Sequence, residues 1–328
     1  MKAIQLVRSI PRYLLTRTIG RAYRPIFWSR LAMVQYRDVA EPVLPGPQWV
    51  KVRTRYGGIC GSDLHTIQLQ DSPLLSAFTS FPFTLGHENV GTIAEVGAEV
   101  TGYRPGDRVV VEGLLPCAAR GMAEPCEFCR RGEYSRCQSF AEGVLAPGLG
   151  LGSCRDTGGS WSECFVAHQS QLFPVPANVS DESALLVDAF ASALHAVLQH
   201  PPEDTDTILV LGAGVVGLCT VLALRALGSR ARIIVVARHR FQCEMAQKLG
   251  ADEVIDPRQG DYEQALAQAT GGRLYRPILG KRALVGGADT TYECTGSESA
   301  IADSLRLTRS GGTVMLVGLA AIPRGVDW

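Results

Sequence analysis

The stretch ILVLGAGVVGLCTVLALRALG constrains the fold more than any other part of this chain. An apolar run of Ile, Leu and Val leads into Gly212-x-Gly214-x-x-Gly217, and an apolar helical pattern continues to Gly228. In that order the glycines allow a tight turn and let a pyrophosphate approach the amides of Val215 and Val216 at a helix N-terminus. Ile208 to Leu224 lacks any charge, yet its glycines and its Val/Ile-rich start suit a buried strand, turn and helix better than a membrane span. A second apolar strand, ARIIVVA, follows, as a dinucleotide-binding βαβ unit requires. An NAD site usually places Asp or Glu at the end of that strand. Here Ala237 stands there, followed by Arg238, His239 and Arg240. Loss of the carboxylate removes repulsion, and two guanidinium groups can bind a 2′-phosphate, so NADP is favoured over NAD. The alternative is a solvated basic loop.

The rest of the chain fits around this unit. Its 328 residues, 46% hydrophobic and 20% charged, suffice for two domains with separate cores. Lys+Arg and Asp+Glu are equal at 32 each, which argues against a nucleic-acid partner. No signal peptide opens the sequence, so the expected location is the cytoplasm. Ten cysteines then point to metal and core roles rather than disulfides. Residues 1–178 carry short alternating runs broken by Gly and Pro (KAIQLV, WVKVRTRY, NVGTIAEVG, DRVVVEG, ECFVA), which predict an irregular antiparallel β domain. From 179 onward, Ser180 caps a helix that has Asp181 and Glu182 in its first turn, and strands then alternate with helices, predicting a parallel α/β sheet.

Two groups of residues carry metal chemistry. Cys126 and Cys129 form a C-x₂-C clasp followed by Cys137, which leaves a tetrahedral site one ligand short. Cys60, in GGICGSDLHT, and His87, in TLGHENVGTIAEVG, are suitable zinc ligands, although either alone is equally a core residue.

G-I-C-G-S-D-x-H, then G-H-E-x-x-G-x-I-x-x-V-G, a cysteine-rich lobe and a Rossmann fingerprint, in this order, resemble the zinc-dependent medium-chain alcohol dehydrogenases, including their polyol and threonine dehydrogenase branch. The resemblance covers nearly the whole chain. It implies a GroES-like irregular β catalytic domain over 1–178, with a structural zinc lobe at about 117–137, and a Rossmann doubly wound parallel sheet over 179–328. It matches Cys60 and His87 to catalytic zinc ligands, Asp63 to the carboxylate behind the ligand histidine, and Ser62 and His65 to a proton relay. The stretch VDAFASALHAV points to Asp188 as third ligand, with Glu88 as competitor. The family's structural lobe is spaced C-x₂-C-x₂-C-x₇-C; its first cysteine falls here on Ala123, so Cys117 is expected to supply the fourth thiolate from an insertion, with Glu124 as substitute.

An open zinc position and a nicotinamide imply hydride transfer between an alcohol or polyol and NAD(P). The competing reading is a non-catalytic cofactor- and zinc-binding protein. Family members continue past the fifth Rossmann strand, here GGTVMLVGLA, with a sixth strand that usually forms a dimer edge; the sequence stops at Trp328, so a truncated product and a doubtful homodimer or homotetramer are expected. LQDSPLLSAFTSFPF is expected to line or cover the substrate pocket, with Phe78, Phe81 and Phe83 as apolar wall or as core. Finally, RSIPRYLLTRTIGRAYRPIFWSRLA is an insertion in which Arg17, Arg21 and Arg24 are predicted on one helical face, with Leu15, Ile19 and Ala22 opposite. Its apolar side is expected to pack on its own domain, the alternatives being a membrane surface or an acidic partner.

Overall fold

The computed structural model describes residues 1–320 and residue 326. Two compact units emerge, Met1–Val187 and Asp188–Trp328.

In the first unit, strand β1 (Lys2–Leu6) begins the chain and helix α1 (Ile10–Ile19) follows. Strand β2 (Val34–Asp38) pairs antiparallel with one edge of β1. Next come β3 (Trp49–Gly57), α2 (Gly61–Ile67), and β4 (Phe83–Thr84), which closes the other edge of β1. Strands β5 (Asn89–Val96) and β6 (Arg108–Val111), the short helix α3 (Glu127–Arg130), and strands β7 (Cys164–His168) and β8 (Leu172–Pro174) complete the β part. An antiparallel sheet of order β7-β3-β5-β6-β8 is the frame. Its alternating residues Val50, Val52, Ile93, Val109 and Phe165 turn to one buried cluster, which is what the period-2 pattern of these runs dictates. Helix α4 (Asp181–Leu185) begins at the Ser180 hydroxyl, which accepts from the Ser183 amide. Asp181 is buried and ion-paired to Arg55 and Arg108 on β3 and β6, which ties α4 to the first unit.

The second unit starts within α5 (Val187–Gln199), at Asp188, and continues β9 (Thr207–Leu211), α6 (Val215–Ala226), β10 (Arg232–Val236), α7 (Arg240–Lys248), β11 (Glu253–Ile255) and α8 (Tyr262–Thr270). A small hairpin, β12 (Arg273–Tyr275) and β13 (Ala283–Val285), precedes β14 (Ala288–Glu293), α9 (Glu298–Leu307) and β15 (Thr308–Leu316). The parallel sheet has order β11-β10-β9-β14-β15. Ile208 and Val210 enter one core cluster, Leu209 and Leu211 the other. A central strand buried on both faces must be apolar at every position, which explains the uninterrupted run. Among the described residues no helix is long and apolar enough to cross a membrane.

The insertion between β1 and β2 departs from expectation. Ser9 caps α1 and the helix ends at Gly20, where a Cβ would lie 2.2 Å from the Phe27 ring. Arg21 and Arg24 therefore lie beyond the helix and share no helical face with Arg17. Leu15 and Ile19 are exposed instead of packed. The side of α1 turned inward is polar: Thr16 is fully buried, and its hydroxyl donates to the Arg12 carbonyl at 2.6 Å. The Arg12 guanidinium donates to the carbonyls of Arg30 and Ala32 at 2.7 and 2.9 Å. Ile26, Phe27 and Met33, from after the helix, fill the apolar space with Leu6, Ile67 and Phe83. Of α1 only Tyr13 packs partly against this cluster, and the leucines and isoleucines of the helix turn outward.

Candidate metal centres and cofactor site

Helix α2 positions Cys60 at its N-cap. The Cys60 amide donates to the Asp63 carboxylate at 2.9 Å, and the other carboxylate oxygen of this buried aspartate lies 3.7 Å from His87 Nδ1. One carboxylate thus anchors the loop carrying Cys60 and lies beside the ring of His87. His87 and Glu88 enter β5 directly. The Asn89 side chain donates to the carbonyls of His87 (2.7 Å) and Val111 (2.9 Å) and accepts from the Val111 amide (2.9 Å), locking this turn onto β6. The Glu88 backbone is gripped by the Gly58 amide at 3.0 Å and the Ser160 hydroxyl at 2.8 Å, while Trp161 Nε1 donates to the Gly58 carbonyl at 2.7 Å. Gly58 is needed here because a Cβ would fall 2.0 Å from a Glu88 carboxylate oxygen.

The result is a trio, Cys60, His87 and Glu88, whose ligand atoms all lie within 4.8 Å of one another. Burial alone would raise the Cys60 thiol, but hydrogen bonds from His87 and Ser62 outweigh it and leave the thiol below its ordinary value. A soft thiolate, an imidazole and a carboxylate are the donor set of an open zinc site. Asp188 is the second residue of α5, half-buried, in the second unit. Ser62 and His65 sit on α2, and His65 Nδ1 is buried without a hydrogen-bond partner among the described residues.

The second group is Cys117, Cys126, Cys129 and Cys137, again with all sulfurs within 4.8 Å of one another. Cys126 caps α3, Cys129 lies on it, and Cys137 closes the turn that follows. Cys117 comes from the preceding loop, folded back through Gly121 at φ 65°. Its sulfur lies 3.7 Å from that of Cys137. Zn–S bonds of about 2.3 Å set the sulfurs of a tetrahedral site roughly 3.8 Å apart, so zinc fits; a disulfide, with sulfurs about 2 Å apart, does not. The Cys126 and Ser139 amides point at the sulfurs of Cys117 and Cys137 at 3.3 and 3.4 Å. The backbone amides of Cys129 and Gln138 pull the Cys126 thiol down to about 6, while burial pushes Cys129 up to about 12. Four clustered thiolates repel one another unless a cation lies between them. Beside them Arg120 is fully buried, and its guanidinium donates to carbonyls of Leu115, Glu142, Leu145, Ala146 and Gly148. Glu124 is not part of the four.

The turn between β9 and α6 is shaped for a dinucleotide. Gly212 has φ 95°, and a Cβ on Gly217 would sit 1.9 Å from the Gly212 carbonyl oxygen, so both are required by the fold. A Cβ on Gly214 would meet nothing within 4 Å. Space is therefore open where a pyrophosphate would approach, and no side chain caps the amides of Val215 and Val216. At the end of β10, Ala237 is buried, while Arg238, His239 and Arg240 are exposed. Arg240 bonds Glu244 at 2.7 Å, and His239 stacks on Phe241. Of the loop aromatics, Phe83 is buried and Phe81 tilts against it with ring centroids 5.3 Å apart, so both are core; Phe78 is exposed.

Asn89, Ser160, Trp161, Gly58 and Arg120 were not anticipated. Their roles depend on contacts distant in sequence, and none carries a local pattern that announces it.

The family model described as the alcohol dehydrogenase GroES-like domain matches residues 46–177, and the zinc-binding dehydrogenase model matches 215–327. The sorbitol dehydrogenase of Halalkalibacterium halodurans is 30% identical over 287 residues, covering 88% of this chain and 74% of its own. The L-idonate 5-dehydrogenase of Vitis vinifera is 32% identical over 284 residues, covering 85% and 69%. Among solved structures, a Sinorhizobium meliloti 1021 protein named as a zinc-binding dehydrogenase and bound to NADP superposes with TM-score 0.71 at 25% identity, covering all of this chain and 79% of that one. An alcohol dehydrogenase from Thermus sp. ATN1 gives 0.70 at 26% identity, covering 99% and 79%.

Proposed function

This chain belongs to the zinc-dependent medium-chain alcohol dehydrogenase family and is a zinc-dependent oxidoreductase; from that premise we propose that it interconverts a polyol or secondary alcohol and its carbonyl with NADP as the preferred cofactor. The observation that carries the reading is the Cys60, His87, Glu88 trio with Asp63 bonded behind it. Zinc held by these residues would polarise the substrate oxygen, and a nicotinamide cofactor would supply the hydride chemistry.

The protein's own residues do the rest. Asp63, whose carboxylate lies 3.7 Å from His87 Nδ1, orients the ligand histidine from behind. Glu88 serves as third ligand, favoured over Asp188 because its carboxylate already lies with Cys60 and His87. Ser62 holds the alcohol proton and His65 passes it outward. Gly212, Gly214, Val215, Val216 and Gly217 receive the pyrophosphate, and Arg238, His239 and Arg240 form the 2′-phosphate loop. Cys117, Cys126, Cys129 and Cys137 hold a structural zinc, since four protein ligands leave no open position. The catalytic part spans residues 1–178 with α4 attached, and the remainder, to 328, binds the cofactor. The setting we assign is the cytoplasm. Polyols are favoured because the sorbitol and idonate enzymes are among the relatives.

The ligand assignment is tested by zinc analysis of Glu88→Gln and Asp188→Asn beside the unmodified protein. Glu88→Gln is expected to release one zinc per chain and to abolish alcohol oxidation, with Asp188→Asn keeping its metal. The reverse pattern would move the third ligand to Asp188.

A further inference from the structure

Helix α1 is inside out. Its outward face carries Ile10, Leu14, Leu15 and Ile19, which are 67%, 58%, 40% and 37% exposed. At 100° per residue these positions and the exposed Pro11 and Thr18 span one half of the helix, opposite the buried Thr16. The same insertion leaves Tyr23 and Trp28 58% exposed and Leu31 51% exposed. Soluble surfaces seldom gather apolar side chains in this way. The helix is nevertheless held firmly, by the Ser9 cap, by Arg12 reaching the Arg30 and Ala32 carbonyls, and by the fit of Gly20 against Phe27. Its outward face is thus a fixed surface.

Charge says what that surface meets. Arg8, Arg17, Arg21, Arg24 and Arg30 are exposed around it, and none is ion-paired among the described residues. Residues 1–37 hold eight basic and no acidic side chains, which leaves the rest of the chain with 24 basic against 32 acidic, a net of −8. The segment that carries the exposed apolar face is thus wholly basic, and the remainder of the chain is net acidic. We propose that the α1 insertion docks the enzyme on an anionic lipid bilayer, with Ile10, Leu14, Leu15 and Ile19 entering the headgroup boundary and the surrounding arginines meeting lipid phosphates. Leucine and isoleucine on the buried side, arginine at the flanks and Trp and Tyr nearby are the composition of a helix lying in the plane of the interface. The active-site assignment is not needed for this surface, so the two stand or fall separately.

Co-sedimentation of the full chain with vesicles tests it. Vesicles of mixed phosphatidylglycerol and phosphatidylcholine should pull the protein down, pure phosphatidylcholine should bind it far less, and raised salt should release it. Leu14→Glu with Leu15→Glu, and separately Arg17→Glu with Arg21→Glu and Arg24→Glu, should each lower partitioning by about tenfold or more. Unchanged melting temperatures are expected, since these side chains are exposed. Failure to bind anionic vesicles, or equal binding by the leucine variant, would overturn the proposal. So would a dimer in sedimentation velocity, without vesicle binding, that the leucine variant dissolves: that result would give the face to a second copy.

Discussion

At the residue scale, three glycines in one turn do different work. Gly212 and Gly217 serve the fold, one through a positive φ and the other through the 1.9 Å clash a Cβ would make. Gly214 has φ −70° and open space, so alanine fits the protein without strain and obstructs only a ligand. Gly214→Ala should therefore leave the melting temperature within about 2 °C, since tolerated substitutions stay near 0.5 kcal/mol. NADPH binding, followed by nicotinamide fluorescence, should weaken at least about tenfold because the backbone must approach the pyrophosphate closely. A stable variant with unchanged affinity would show that this turn holds no dinucleotide. In the same titration NADPH should bind more tightly than NADH, and Arg238→Ala should erase more of the difference than Arg240→Ala. Arg240 is already engaged by Glu244, whereas Arg238 is exposed without an ion-pair partner among the described residues. A charge-assisted bond of about 1.5–3 kcal/mol corresponds to roughly tenfold or more.

At the element scale, α8 and α9 are clasped by charges rather than by apolar contact alone. Asp303 on α9 accepts from Arg306 and Lys281, each at 2.8 Å, and from the Tyr262 hydroxyl of α8. Arg306 and Arg282 both reach Glu263 of α8 at 2.6 Å. Burial would raise the Asp303 carboxyl, but Lys281, Tyr262 and Arg306 together hold it below its ordinary 3.8. A carboxyl depressed by folding contributes stability above its unfolded pKa, and that contribution is lost as pH falls through the folded value. The second unit should hence begin to lose stability below about pH 4. Asp303→Asn should lower its melting point near neutrality by several degrees, about 1–3 kcal/mol, and flatten the acid limb of the pH profile. Equal acid slopes in variant and unmodified protein would show that Asp303 is not the group responsible.

At the scale of the whole molecule, two donor sets of opposite character share one unit. A trio of mixed donors leaves an open position, and four thiolates do not. Metal analysis should find two zinc ions per chain. Cys117→Ala should remove one and lower the melting temperature by several degrees, since a closed thiolate site contributes folding energy; Glu124→Ala should change neither. Retention of both ions in Cys117→Ala would leave the lobe with a three-cysteine site.

The sequence alone determined the two sheets. The antiparallel sheet has one buried face and writes itself as alternation, whereas β9 and β10 have two and write themselves as unbroken apolar runs. The glycine fingerprint was equally readable, because turn geometry and phosphate approach act within a few residues. Tertiary structure decided what depends on distance in space. Glu88 lies with Cys60 and His87 because the Asn89 side chain and the Gly58 amide hold that turn in place, which no spacing encodes. Cys117 joins Cys126 only because a loop folds back on itself. The face α1 shows to solvent was the least legible, because periodicity reports that a helix has two faces, whereas the side that turns inward is set by what already fills the core. Here Ile26, Phe27 and Met33 had taken that place.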